Sequence, residues 1–287
     1  MKPLIDVVYS PGYQVPGLAH FDRLALTCEI AQQRNLVRVH CPEPLALMHL
    51  HALHDASYVD AMLLGKMPLA GSSYLPWSPG LINACLLMLG GQLRAAQLAF
   101  AHGASINLAC GFHHALPDRG GGFCVFNGLA LIALLYPDLR VAVLDCDEHG
   151  GDGTEAFCAR LPNLSAISIF GSRFGVRGGP RSRALEVPRF PHGSDHEFLE
   201  ALDQALAHLI DERPDIVLYQ ASADSHADDS KSTLRLSTKT LAERDQRVFR
   251  TFRQLGIPLL ATLAGGYQSP ERTAALYLQT IAIAASV

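Results

Sequence analysis

The sequence predicts an α/β fold with a central, mainly parallel sheet and helices on both faces. Short runs rich in valine, isoleucine and leucine alternate with longer segments of helical periodicity along the 287 residues. The strand runs are apolar on both faces, which is typical of parallel strands covered by helices on both sides. No glycine-, serine- or charge-rich linker divides the chain, so we expect one domain over residues 1–287.

Each element follows from local composition and periodicity. The predicted strands are short apolar runs that end in polar or glycine-containing segments: 4–10, 104–110, 140–147, 164–170, 215–222 and 258–266. The predicted helices repeat apolar side chains every three to four positions: 20–33, 57–64, 79–102, 127–136, 153–160, 196–213, 238–255 and 270–285. Two stretches rich in proline and glycine, 67–80 and 171–191, are predicted to be long loops, which often carry function.

Composition excludes several classes of protein. Lysine and arginine total 23 against 27 aspartate and glutamate residues, a net charge of -4, so no nucleic-acid partner is expected. No apolar run is long enough to span a bilayer, and Asp6 interrupts the N-terminal stretch where a signal peptide needs apolar residues. The 7 cysteines form no paired pattern, which favours reduced thiols. We therefore expect a soluble cytoplasmic protein with no membrane insertion.

Polar or glycine-rich clusters follow nearly every predicted strand. They lie at 111–114, 145–149, 171–175, 223–226 and 265–267. Ligands of an open parallel sheet bind at the carboxyl ends of its strands. The clusters are therefore expected to converge on a single site.

One cluster predicts a metal site. Asp145, Asp147 and His149 are two residues apart, so on an extended strand they share one face. Carboxylates packed this closely need a compensating cation. A divalent metal bound by one aspartate and one histidine of this strand, with Asp224 as third ligand, leaves an open position for catalysis. Taken alone, the triplet also fits a solvated loop or a salt-bridged strand end.

Histidines and a tyrosine lie in two other clusters. The tandem pair His113 and His114 needs partners that set tautomer and basicity, and Asp145 and Asp152 are candidates. A histidine–aspartate dyad beside a metal is a general-base arrangement. Tyr267 follows two glycines, so a sharp turn can direct its phenol toward a substrate carbonyl.

Together these motifs resemble the zinc-dependent histone deacetylase superfamily, closest to its class IV branch and bacterial relatives. The resemblance covers most of the chain and rests on these motifs in the family's order: VYSP at 8–11, HFD at 20–22, HDASYV at 54–59, GFHHA at 111–115, GGFCVFN at 121–127, DCDEHGGDG at 145–153, DSH at 224–226 and GGY at 265–267.

The resemblance implies an arginase–deacetylase fold with Zn²⁺, or alternatively Fe²⁺, on Asp147, His149 and Asp224. It implies that His114 is the main general base, supported by Asp152. It further implies that His113, paired with Asp145, is an electrostatic element or acid near the leaving amine. Tyr267 would donate a hydrogen bond to the amide carbonyl and then to the oxyanion.

The resemblance also implies substrate contacts and a second ion. Phe123 and Phe174, with Gly122, would line the channel that holds the acyl-lysine stem. A structural K⁺ is expected near Asp145, Asp147, His149 and Ser168. Gly150 stands where many members have a second histidine, and Phe170 stands where the family usually has a histidine after the strand serine.

Three functions remain open from the sequence. The first is removal of an acetyl or longer acyl group from N-acyl-lysine of proteins or peptides. The second is hydrolysis of an acetylpolyamine or other small acylated amine, for which Glu43 or Asp55 at the channel mouth would attract a second ammonium group. The third is a non-catalytic binder of acyl ligands. Arg173 and Arg177 are expected to be solvated, with contact to an acidic substrate group as the alternative.

Overall fold

The computed structural model describes residues 4–18, 21–193 and 195–287, so the predicted helix start at His20 lies outside these ranges. Eight strands form one sheet in the order β2-β1-β3-β8-β7-β4-β5-β6. Every neighbouring pair is parallel. The predicted α/β class with a mainly parallel sheet is confirmed.

The bounds of the elements follow the predicted segments closely. The strands are β1 Ile5–Val8, β2 Val37–His40, β3 Ala104–Asn107, β4 Val141–Asp145, β5 Leu164–Phe170, β6 Ser182–Glu186, β7 Ile216–Gln220 and β8 Leu259–Thr262. The helices of the described residues are α1 Asp22–Gln33, α2 Leu47–Leu53, α3 Ala56–Leu64, α4 Pro79–His102, α5 Gly128–Leu135, α6 Asp152–Arg160, α7 Asp195–Glu212, α8 Thr238–Leu255 and α9 Pro270–Ser286. Most strands end before the predicted residue because the polar clusters lie beyond the hydrogen-bonded ladder.

Three elements are not predicted by the sequence. The edge strands β2 and β6 are short and partly exposed, with charged residues between the apolar ones, so neither forms an apolar run. The prediction of a continuous loop over 171–191 is therefore wrong at β6. The short helix α2 is also missed. The other predicted loop, 67–80, contains a 3₁₀ turn at Leu69–Gly71 and the first residues of α4.

The core lies on both sides of the central strands. All residues of β4, β7 and β8 are buried. Helix α4 begins where the Ser78 hydroxyl accepts the Leu81 N–H, and α5 begins where the Asn127 side chain accepts the Ala130 N–H. These caps fix the helices against the sheet and leave the carboxyl ends of the central strands free for the polar clusters.

Helix α4 departs from the expectation that no apolar run could span a bilayer. Its 24 residues are long and apolar enough to do so by composition. However, 61% of its most apolar window is buried inside the protein, as in the core helix of a globular protein.

Candidate active site

The predicted metal-binding side chains come together at the carboxyl ends of β4 and β7. One ligand atom from each of Asp147, His149 and Asp224 lies within 4.8 Å of the others. The peptide after β4 is held in place because the Asp147 N–H donates to Asp145 Oδ1 at 3.1 Å. The Glu148 N–H donates to Asp224 Oδ1 at 3.0 Å, which ties this segment to the end of β7.

The donor set fits a divalent cation. Asp224 Oδ2 is buried and has no hydrogen-bond partner among the described residues, although it lies 3.3 Å from His149 Nδ1. Burial raises the pKa of Asp224 to about 8, and the neighbouring Asp147 carboxylate adds to the shift. Two buried carboxylates and an imidazole nitrogen facing one point are suitable ligands for Zn²⁺. A cation there would also offset the mutual repulsion of the carboxylates.

Both histidines of the tandem pair bind an aspartate. His113 Nδ1 lies 2.7 Å from Asp145 Oδ2, and His114 Nδ1 lies 2.7 Å from Asp152 Oδ1. The two rings are stacked with centroids 3.9 Å apart. Asp145 ends β4 and Asp152 begins α6, so the sheet and a helix N-terminus position the two carboxylates. The Nε2 atoms lie on the opposite sides of the rings, and that of His113 is 3.8 Å from Asp147 Oδ1.

The two histidines differ in their expected charge. Burial opposes charge on His113, but the carboxylates of Asp145 and Asp147 outweigh it and raise the pKa to about 10. Burial lowers the pKa of His114 well below its usual value, and the neighbouring His113 charge adds to the decrease. His114 is therefore the neutral member, which can accept a proton.

Close glycine contacts hold this arrangement together. A Cβ on Gly122, whose φ is +46°, would lie 2.3 Å from His114 Cδ2. A Cβ on Gly265, whose φ is +40°, would lie 2.5 Å from Asp224 Cγ. Both positions need a left-handed backbone and close approach to a site residue, so only glycine fits.

Tyr267 follows the second of these glycine turns. Its N–H donates to Asp229 Oδ2 at 2.6 Å, and its ring lies 6.0 Å from that of Phe123. Burial raises the pKa of the phenol well above its usual value, and nearby Asp224 adds to the shift. The phenol therefore stays protonated at neutral pH and remains a hydrogen-bond donor.

A narrow pocket of about 40 Å³ lies beside part of this site, and its lining does not include His114, His149 or Asp224. Predicted site residues contribute to it, namely His113, Gly122, Phe123, Asp147 and Tyr267. It is also lined by Phe21, Arg23, Cys110, Phe112, Cys124 and Gly265. None of these six is a predicted site residue, and Arg23 and Cys110 lie outside the recognised motifs as well. Phe174 lies outside this lining, and its ring stacks on His114 with centroids 4.0 Å apart.

Two further polar residues beside the site were not predicted. The Ser222 hydroxyl donates to Asp147 Oδ2. Fully buried Glu148 accepts the Thr233 hydroxyl at 2.5 Å and so anchors the segment after Asp224. Ser222 ends a predicted strand at the same edge of the sheet, which is the signal that could have identified it. Glu148 lies inside the recognised motif, and nothing in its sequence context indicates burial.

Some predicted residues lie elsewhere. Asp55 Oδ1 is 2.8 Å from Arg160 Nη1, and neither Asp55 nor Glu43 lines the pocket. Arg173, in the loop that contains Phe174, pairs with Glu186 at the end of β6. The alternative role of Glu43 and Asp55 in attracting a second ammonium group therefore has no support in this geometry.

The two departures from the motif are also explained by packing. A Cβ on Gly150 would lie 2.7 Å from both Arg173 O and Val176 Cγ2, so the loop after β5 occupies that space. Phe170 is fully buried at the end of β5. Ser168 lies beside Asp145 in the ladder, and its hydroxyl accepts the Gly151 N–H at 3.3 Å.

Comparison with known proteins identifies relatives over most of the chain. An uncharacterised protein of Picosynechococcus sp. is 32% identical over 279 residues, which cover 91% of each chain. Histone deacetylase 1 of Oryza sativa is 30% identical over 87% of this chain and 50% of its own length, so this chain spans about half of that plant protein. The acetoin utilization protein AcuC of Bacillus subtilis is 27% identical over 91% of this chain and 76% of its own.

A solved structure shares the fold. The crystal structure of acetylpolyamine aminohydrolase from Burkholderia pseudomallei superimposes with a TM-score of 0.81 at 20% identity, covering 98% of each chain. This confirms the predicted arginase–deacetylase fold. The family model described as "Histone deacetylase domain" matches residues 18–283. On the strength of that match, the chain belongs to the histone deacetylase family.

Proposed function

We propose that this protein is a zinc-dependent amidohydrolase that removes an acetyl or longer acyl group from N-acyl-lysine of proteins or peptides. The observation that carries the proposal is the convergence of Asp147, His149 and Asp224 beside two histidine–aspartate dyads. Membership of the family supports the hydrolase class. Fe²⁺ is the alternative metal.

In this proposal Asp147, His149 and Asp224 hold the metal, which supplies a Lewis acid for the amide carbonyl and for a water molecule. His114 accepts the proton of the attacking water at Nε2, because its Nδ1 binds Asp152 at 2.7 Å. Asp152 keeps the His114 ring oriented and stabilises the charge that the ring gains.

His113 and Tyr267 act on the charge that develops during attack and collapse. His113, held by Asp145, stays protonated and lies next to His114, where it stabilises negative charge or protonates the leaving amine. Tyr267 donates its hydroxyl to the carbonyl oxygen as it becomes an oxyanion, which is the role of an oxyanion-hole donor.

Aromatic side chains border the route of the substrate. Phe123 lines the pocket and Phe174 covers His114, so the lysine stem is proposed to lie between them, against Gly122. A structural K⁺ near Asp145, Asp147, His149 and Ser168 is also proposed, as are a single domain over 1–287 and a cytoplasmic location.

A small acylated amine is the second candidate substrate. The solved structure that shares this fold is that of an acetylpolyamine aminohydrolase, which favours this alternative. A polycationic substrate is less favoured, because among the described lining residues the pocket contains no carboxylate besides Asp147, which is proposed to bind the metal. The non-catalytic binder is disfavoured because every group that the mechanism needs is present.

The test is hydrolysis of an acyl-lysine peptide panel, from acetyl to myristoyl, by zinc-loaded protein, with acetylated polyamines as a second panel. We expect turnover of peptides that a chelator abolishes. Turnover confined to the polyamines would contradict the lysine substrate and leave the metal chemistry intact. Stoichiometric zinc with no turnover on either panel would support the binder.

A further inference from the structure

A groove of about 700 Å³ is lined by Asp152 but not by its partner His114. Its walls are one face of α6, the segment around Leu116 and Arg119, and the loop 175–182. Three arginines line it, Arg119, Arg177 and Arg181, and we call it the arginine groove.

Hydrogen bonds fix the loop that carries two of these arginines. Glu155 of α6 accepts the N–H groups of Arg177 and Gly178 at 2.9 and 2.8 Å. It also accepts the Ser182 hydroxyl at 3.1 Å. Arg181 Nε donates to the Cys158 carbonyl at 3.0 Å. The arginine groove is therefore bordered by a backbone that is bound to α6 at both ends.

The groove is lined by more arginines than carboxylates. Both acidic lining residues are already engaged, Asp152 with His114 and Glu155 with the loop. Arg119 pairs with Asp118 at 3.0 Å. Within residues 4–18, 21–193 and 195–287, neither Arg177 nor Arg181 forms an ion pair. Arg181 donates from both Nε and Nη2 to the Cys158 carbonyl. The groove thus presents chiefly the Arg177 guanidinium, beside the remaining donors of Arg119 and Arg181, to a carboxylate or phosphate.

The groove shares one residue with the proposed catalytic dyads. Asp152 lines the groove with a side chain that is 20% exposed, and its Oδ1 lies 2.7 Å from His114 Nδ1. Gly175, which also lines the groove, follows Phe174, whose ring stacks on His114. Asp152 and Gly175 therefore connect the arginine groove with the dyad and with Phe174, which is proposed to border the lysine stem.

We infer that the arginine groove binds an anionic group, a carboxylate or phosphate, that the substrate carries on the amine side of the scissile amide. This rests on the proposed function and narrows its substrate class to acyl-lysine in an acidic context. It also predicts that a polycationic amine is a poor substrate, since three arginines would repel it.

The experiment compares two acyl-lysine peptides that differ only in flanking residues, glutamates in one and glutamines in the other. With metal-loaded protein at low ionic strength, we expect kcat/KM to be about threefold to tenfold higher for the acidic peptide, falling toward equality at high salt. Arg177→Gln should lower the ratio. Arg183→Gln is the matched control, because Arg183 is exposed on β6 and does not line the groove.

Inorganic phosphate distinguishes the two sources of the anion. If the groove holds a substrate group, phosphate raises the KM of the acidic peptide and spares the glutamine peptide. An equal effect of phosphate on kcat for both peptides would show an independent anion site and overturn the inference. Equal kcat/KM for the two peptides in the wild-type protein would also overturn it.

Failure of the proposed function has a different signature, namely no turnover of either peptide. In that case, calorimetric titration of the metal-loaded protein with phosphate decides the question. Binding that Arg177→Gln weakens and Arg183→Gln preserves would support the groove as an anion site. Absence of binding would remove the inference.

Discussion

At the scale of single residues, the two aspartates that orient the histidines have different surroundings. Asp145 is 1% exposed and lies at the end of a central strand, whereas Asp152 borders the arginine groove. Burial raises the pKa of Asp152 to about 6, although the charge of His113 opposes the shift. Asp152 is therefore the dyad carboxylate most open to solvent protons near neutral pH.

This difference predicts a pH dependence. The His114 dyad works with Asp152 ionised, so kcat/KM should fall as the pH decreases through about 6. The activity is fully present above that pH and is lost below it, because a protonated Asp152 no longer accepts from His114 Nδ1. The pH profile of kcat/KM measures this, and Asp152→Asn should remove the acid limb at about 6. A profile that stays flat to pH 4.5 would contradict the assignment.

Tyr267 gives a second prediction at this scale. Tyr267→Phe removes one oxyanion donor and should lower kcat by roughly 10²–10³ with no change in bound zinc. Tyr74→Phe is the control, since Tyr74 is an exposed tyrosine outside the pocket lining. Steady-state kinetics together with metal analysis make the test. Unchanged kcat in Tyr267→Phe would show that the phenol is not a donor to the reacting oxygen.

A site residue can be predicted from the sequence only where a simple pattern determines the direction of its side chain. Asp147, His149 and Asp224 are predictable because alternation along a strand and the common edge of a parallel sheet determine where they point. Arg23 is not, because an arginine in the first turn of α1 resembles a solvated residue. In the structure it is buried and donates to Tyr277 Oη at 3.1 Å. Cys110 likewise resembles an ordinary apolar residue.

At the scale of elements, the loop after β5 packs directly on the segment after β4. Gly150 N donates to Ser172 O at 2.9 Å, and Glu148 O accepts the N–H groups of Gly171 and Ser172. This contact brings Phe174 over His114. The absence of a side chain at position 150 is what lets the loop approach so closely.

Gly150→Ala tests this contact. The new Cβ would lie 2.7 Å from Arg173 O and Val176 Cγ2, so the loop has to move and take Phe174 with it. We expect KM to rise about threefold or more while kcat falls less, measured on the preferred acyl-lysine peptide. Gly80→Ala is the control, because the nearest atom to its Cβ would be Ser78 Oγ at 3.7 Å. Equal KM in the two variants would contradict a role for the loop in substrate binding.

Central elements are predicted more completely than edge elements. The apolar runs of β4, β7 and β8 are buried on both faces, so their sequences carry a strong signal. β6 pairs with only one strand and only its first residue, Ser182, is buried, so its sequence resembles the loop before it. Its presence depends on the ladder with β5, which a local pattern cannot reveal.

At the scale of the whole molecule, the residues that stabilise the fold and the residues of the proposed active site occupy different parts of the sheet. The buried apolar residues of the central strands form the core, and the polar clusters occupy one edge. The convergence of those clusters was predictable because parallel strands place their carboxyl ends together. The arginine groove was not, because it forms between a helix and a loop that approach each other only in the fold.

This separation predicts that a substitution in the core lowers the free energy of unfolding while leaving zinc binding by the folded protein intact. Leu218→Ala in β7 removes a fully buried side chain and should cost about 2–5 kcal/mol of unfolding free energy. The folded fraction should still bind zinc. Leu64→Ala is the control, being 63% exposed, and should stay within about 0.5 kcal/mol. Urea denaturation followed by circular dichroism measures both, and equal midpoints would contradict the assigned core.

The most direct test of the central claim is a zinc titration of metal-free protein, with bound metal and turnover of the preferred acylated substrate measured on the same samples. The proposed site predicts that turnover rises in proportion to bound zinc and saturates at one ion per chain, and that Asp224→Asn binds zinc weakly and stays inactive. Full turnover in protein that contains no metal, or an Asp224→Asn variant that binds zinc and turns over normally, would contradict the assignment of Asp147, His149 and Asp224 as the catalytic metal site.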